Sequence, residues 1–242
     1  MKKITSIFLS LIAFNFAWSQ EQSFQTKQEQ IIEKAIFYAE EEEYLKAALE
    51  LERVNENDSS YFDIISSASY YFLLAEEYNK CIELCDKGIK HSTTTSKHYF
   101  YLNKIAALSR SKENKKAIET ATLALEVYPK SYSLLFNRAI SLEETGDIIG
   151  AINDLKTSIQ INPFHEKSHL RLALLCSKQN QTAQAILCLN TYLILNPESE
   201  YSSNILSLAN EIASRRSPSN EKPIQQIDRK EHTSELQSRG HL

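Results

Sequence analysis

Thiols, imidazoles and carboxylates are the groups in this chain that could carry chemistry, and their spacing assigns most of them to other work. Four cysteines stand at positions 81, 85, 176 and 188. Cys81 and Cys85 lie one helical turn apart, where free thiols pack as small apolar side chains. Neighbours of that spacing on one helix are poorly placed for a disulfide. Cys176 and Cys188, on facing helices, are the better candidates for a pair in an oxidising compartment. A zinc site needs four converging ligands, and Cys81 and Cys85 with only His91 and His98 nearby do not supply them. His165 and His169 are one turn apart without a third ligand or carboxylate, which predicts exposed surface. Gly146 and Gly150 fall at a turn and a first helical turn, so no glycine-rich loop cradles a phosphate. Serine-nucleophile motifs are absent. The expectation is a chain with no catalytic residue, no cofactor and no metal.

The framework around these residues is more informative. Of 242 residues, 42% are hydrophobic and 24% charged, the balance of a folded soluble protein. Only 4 glycines and 5 prolines are present, which favours long helices over the many turns of a sheet protein. A net charge of −4 makes no electrostatic case for a nucleic-acid partner.

Both ends stand apart. Lys2 and Lys3 precede an apolar run from Ile4 to Trp18, with Ala17 and Ser19 at the positions that favour cleavage, so residues 1–19 are expected to be a secretory signal peptide. The run is short for a membrane span, which needs about 20 apolar residues; an uncleaved anchor is the rival reading. The expected location is the periplasm or cell envelope, without stable membrane insertion after cleavage. Residues 217–230 read as a linker. Residues 231–242 resemble the translation of a sequencing-library adapter, the alternative being a frayed natural tail. On the adapter reading, the natural protein continues beyond about Lys230.

Between these ends the sequence is periodic. Pro129, Pro163 and Pro197 are 34 residues apart, closing the phrases LEVYP, IQINP and LILNP. Ala117, Ala151 and Ala185 keep the same step, and Cys81 and Ala47 continue it with two extra residues near Ser96. Apolar residues recur at helical spacing within each unit, as in Ile31, Ala35 and Tyr38. Close helix crossings demand small side chains, which predicts Ala139 facing Ala151. A proline past the second helix ends it and turns the chain into the next hairpin.

This pattern resembles the tetratricopeptide repeat family over residues 28–197. In the best unit, Ala139, Leu142, Gly146, Ala151, Leu155, Ser158 and Pro163 match the family's marks. The turn glycine is replaced by Glu42, Glu76, Lys112 and Asn180 elsewhere, and Ile105 replaces the small first-helix residue. The fold class implied is all-α, an α-solenoid of five helical hairpins at about 28–61, 62–97, 98–131, 132–165 and 166–199, closed by a capping helix at 201–216.

In such a stack the first helices line a concave groove. The residues expected there are Glu33, Asp63, Ser67, Tyr70, Tyr99, Asn103, Asn137, Lys167 and Arg171, running from an acidic to a basic end. Asn137, Lys167 and Arg171 resemble three of the five positions that family members use to grip a C-terminal carboxylate, while Leu102 and Ala106 occupy the other two. The leading expectation is a non-catalytic scaffold of the envelope that binds a protein or peptide. The alternative is the sensory N-terminal part of a longer envelope signalling protein.

Overall fold

The computed structural model describes residues 27–214. The expected signal peptide, linker and tail, and positions 215 and 216 of the expected capping helix, lie outside the described residues. Within them are eleven helices and no strand: α1 (Lys27–Glu40), α2 (Tyr44–Leu51), α3 (Tyr61–Leu74), α4 (Tyr78–His91), α5 (Ser96–Arg110), α6 (Asn114–Val127), α7 (Tyr132–Glu144), α8 (Ile148–Ile161), α9 (Glu166–Lys178), α10 (Thr182–Leu195) and α11 (Ser202–Ala213). None is long and apolar enough to cross a membrane.

Successive helices pair as antiparallel hairpins, each packed on the next, and α5 also touches α3 on one side and α7 on the other. The small residue that opens each second helix explains the close approach. Ala47, Cys81, Ala117, Ala151 and Ala185 are all fully buried, as is Ala139 but for a trace. Among the described residues the core is divided. Three successive apolar clusters run along the stack, one centred on Ile65 and Phe72, one on Ile105 and Ala121, and one on Leu155 and Leu175. Each hairpin therefore owes its dry face to its neighbour.

The five turns inside the hairpins share one geometry. Glu42, Glu76, Lys112, Gly146 and Asn180 all adopt positive φ, from 56° to 88°. The next residue's N–H reaches back five residues in every case, as from Glu43 to Tyr38 (2.8 Å), Glu113 to Leu108 (2.8 Å) and Gln181 to Cys176 (2.8 Å). That bond closes the preceding helix and satisfies an orphan carbonyl. Only one of the five turns uses the residue for which this backbone costs nothing.

Ion pairs recur at equivalent places. Lys34 on α1 meets Glu50 on α2 at 3.1 Å, and Arg138 on α7 holds Asp154 on α8 through two bonds of 2.7 and 2.8 Å. The last described helix, α11, packs on α10 through Ile205 and Ala209.

Candidate functional site

Chemistry-bearing side chains are largely consumed by packing. All four cysteines are buried, free thiols. Cys81 and Cys85 lie 4.0 Å apart, sulfur to sulfur, and that contact together with burial pushes the Cys81 thiol well above the usual range. Cys176 and Cys188, the pair favoured for a disulfide, are separate thiols; burial and the neighbouring Cys176 push Cys188 up to about 11. His165 and His169 are buried instead of exposed. The His165 ring sits 4.9 Å from Tyr132 and 5.1 Å from Phe136, and its Nδ1 lies 2.6 Å from Ser168 Oγ. His169 Nε2 lies 2.9 Å from the Pro163 carbonyl. The two histidines thus knit α9 to the hairpin before it. Among the described residues no group of three or more His, Cys, Asp or Glu is placed to hold a metal ion.

One large groove opens along the first helices, about 1030 Å³ in volume. Its walls come from α1, α3, α5, the 128–131 connection and the start of α7. Five of the nine residues expected at a binding groove line it: Asp63, Ser67 and Tyr70 on α3, with Tyr99 and Asn103 on α5. Glu33, Asn137, Lys167 and Arg171 do not. Asn103 is buried in the floor, where its amide donates to Ser69 Oγ (2.9 Å) and the Ser66 carbonyl (3.3 Å), tying α5 to α3. Asp63 accepts a 2.8 Å bond from the Thr94 hydroxyl.

The acidic-to-basic gradient meets a different arrangement at its basic end. Arg171 is buried, and its Nε donates to Glu143 Oε2 at 2.7 Å. Lys178 Nζ reaches the other oxygen of the same carboxylate at 3.2 Å. The Arg171 charge is therefore balanced inside the protein.

Sequence reasoning missed most of the groove's aromatic wall. Besides Tyr70 and Tyr99, it includes Tyr71, Tyr128, Tyr132 and His98. His98 bridges the helices: its ring lies 5.9 Å from Tyr99 and 5.0 Å from Tyr128, both edge-on, while Nε2 is 2.8 Å from Ser131 Oγ. Burial raises the phenols of Tyr71 and Tyr128. Tyr128 and Tyr132 flank the proline of one repeat and the start of the next, which was the available signal.

Comparison with known proteins places this geometry. No family model matches the chain. MamA from Desulfovibrio magneticus RS-1 superimposes with a TM-score of 0.57 at 12% identity, covering 74% of this chain and 99% of that one. YrrB, described as a TPR protein with an unusual peptide-binding site, superimposes with a TM-score of 0.51 at 14% identity, covering 79% and 97%. The fold is a tetratricopeptide-type solenoid. In sequence, WD and tetratricopeptide repeats protein 1 of Mus musculus and of Homo sapiens are each 31% identical over 100 residues, 40% of this chain. The match spans about 15% of the length of those relatives.

Proposed function

We propose that this chain is a non-catalytic protein-interaction scaffold that holds an extended segment of a partner along the groove of its first helices. The observation that carries this reading is the groove itself: some 1030 Å³, open, and walled by side chains of successive hairpins. Half-exposed Tyr99, at 46% accessibility, is an aromatic side chain on its wall offered to solvent, and aromatic residues of this kind often anchor interfaces. The solenoid YrrB, whose fold this chain shares, is described as having a peptide-binding site, which supports the same use here. The N-terminal Lys-Lys and apolar run support the further proposal that the protein acts in the cell envelope after losing residues 1–19.

Selection of random peptides on the full chain, followed by rebinding to Ser67→Arg and Ile149→Ser, tests the groove. Ser67 lines the groove, whereas Ile149 is 76% exposed on α8 outside it. Peptides lost with the first variant and kept with the second support the reading; peptides indifferent to Ser67→Arg refute it. Fractionation of a bacterium expressing the full chain tests location: a shortened form in the envelope is expected, and a full-length form in the cytoplasm overturns it.

A further inference from the structure

The outer face of α10 is a surface that the groove does not use. Counted from the buried small residue that opens each second helix, the second, fifth, sixth and ninth residues onward share one stripe, because residues three and four apart are neighbours on a helix. In α4 these are Glu83, Asp86, Lys87 and Lys90, all charged. The other earlier second helices each keep at least one charge there, such as Arg53 in α2, Glu119 in α6 and Lys156 in α8. In α10 the same four are Leu187, Asn190, Thr191 and Ile194.

None of these is charged, nor is any other of the fourteen residues of α10. Leu187 is 67% exposed and Ile194 78%. Asn190 is exposed, and the Thr191 hydroxyl donates to the Leu187 carbonyl of its own helix at 2.9 Å. Single apolar residues on a surface are ordinary. Two on one uncharged stripe, at positions that α4 fills with charge, have the composition of an interface centre, where charged residues are depleted.

The order of residues along the stripe selects what covers it. From either end it reads apolar, neutral polar, neutral polar, apolar, at steps of three, one and three residues. A two-fold contact requires such a palindrome, because the same patch meets itself and residue i meets j as j meets i. With the axis between Asn190 and Thr191, two α10 helices lie antiparallel. Leu187 then faces Ile194 of the second copy, and Asn190 faces Thr191 of the second copy. The Thr191 oxygen, already donating to Leu187, is free to accept from the Asn190 amide. The missing charge matters equally, since a charge on a self-paired stripe lies close to its own copy and is repelled by it. A foreign partner has no need of a palindrome.

We propose that a second copy of this chain packs on the outer face of α10, the two helices antiparallel about a two-fold axis between Asn190 and Thr191. No residue of α10 lines the groove, so the pair carries two grooves and the inference stands apart from the scaffold reading. A helix of fourteen residues offers a strip about 21 Å long and about 10 Å wide, well below the roughly 800 Å² per partner of a stable complex. The dimer is therefore weak and reversible.

Sedimentation equilibrium of the full chain, from low to high micromolar concentration, tests this. The parent moves from monomer toward dimer over that range. Leu187→Glu or Ile194→Lys raises the dissociation constant by about tenfold or more, the loss usual at the centre of an interface. Ile149→Glu, equally exposed on α8, leaves it unchanged. Mixing tests the register: Leu187→Glu and Ile194→Lys, each monomeric alone, dimerise together. The antiparallel pair sets the new carboxylate beside the new ammonium and leaves the other pairing apolar. Circular dichroism of both variants, unchanged because both side chains are exposed, separates lost association from lost folding. A parent that is monomeric throughout overturns the inference, as does a dimer indifferent to Leu187→Glu or equally weakened by Ile149→Glu. So does a mixture of the two monomeric variants that fails to associate. A monomer whose Leu187→Cys thiol resists alkylation assigns the face to residues 215–242 of the same chain, again against the inference. None of these results bears on peptide selection at the groove.

Discussion

Gly88→Ala places one methyl group where the account says two hairpins meet. Gly88 lies in α4 with its Cα facing the Phe100 ring of α5. A Cβ built there stands 2.3 Å from Cδ2 and Cε2 and 2.5 Å from Cγ. Carbon atoms in good contact are about 3.5–4.0 Å apart, so the ring must retreat by more than an ångström. Phe100 is fully buried, and interiors packed this closely offer little room. Overpacking costs about 1–3 kcal/mol. The obstacle is one edge of a rigid ring and not the tip of a flexible chain, which puts the cost near the top of that range. Alanine returns about 1 kcal/mol through its better helix propensity. The net loss is about 2 kcal/mol, or a fall of about 4–8 °C in Tm for a chain of this size. Thermal unfolding followed by far-ultraviolet circular dichroism measures it, and Phe100→Leu in the same chain should recover part of the loss by vacating the ring's edge. If Gly88→Ala is as stable as the parent or more so, helix propensity acts unopposed and the second and third hairpins do not nest as described.

Three further outcomes follow from the same packing. Lys112 sits at φ 68°, a backbone that costs a side chain about 1–2 kcal/mol; Lys112→Gly relieves this but loses chain entropy, for a net gain of about 0.5 kcal/mol in urea unfolding, and a destabilised variant contradicts the turn geometry. Asp154 is buried and takes two bonds from Arg138, so Asp154→Ala costs about 2–3 kcal/mol, reduced from the fully buried case because Arg138 is partly exposed; an unchanged Tm shows the pair is idle. The thiols should ignore a thiol-specific reagent at neutral pH until the chain unfolds. Because the folded Cys188 thiol titrates at about 11 against an ordinary 9.0, its stabilising contribution is full below about pH 9 and is lost as pH rises toward 11. Stability that rises over that interval would contradict its burial.

The repeat was legible because its marks answer to local necessity. A helix crossing tolerates only a small residue, and so Ala47, Cys81, Ala117, Ala151 and Ala185 hold one phase and are all fully buried. The turn position was equally plain from the period, although four of its five residues accept a strained backbone. What the sequence hid depends on how one hairpin rotates against the next. Arg171 looked like open charge because Glu143, its partner, is 28 residues away on a neighbouring first helix. His165 and His169 looked like surface because Tyr132 and Phe136 of the preceding hairpin, and the carbonyl of Pro163, are what enclose them. Only the smaller part of the aromatic wall was legible. Tyr70 and Tyr99 occupy first-helix positions whose direction follows from the helical period, but His98, Tyr128 and Tyr132 stand at or beside connections, whose placement no period dictates.

Paramagnetic broadening tests most directly whether a partner segment lies along the first helices. A selected peptide carrying a spin label is added to the isotopically labelled full chain, and resonances are compared before and after reduction of the label. The account predicts that Ser67, Tyr99 and Ser133, which line the groove, broaden while exposed Ile149 and Leu187 stay sharp. Broadening centred on Ile149 and Leu187, with Tyr99 untouched, would contradict it.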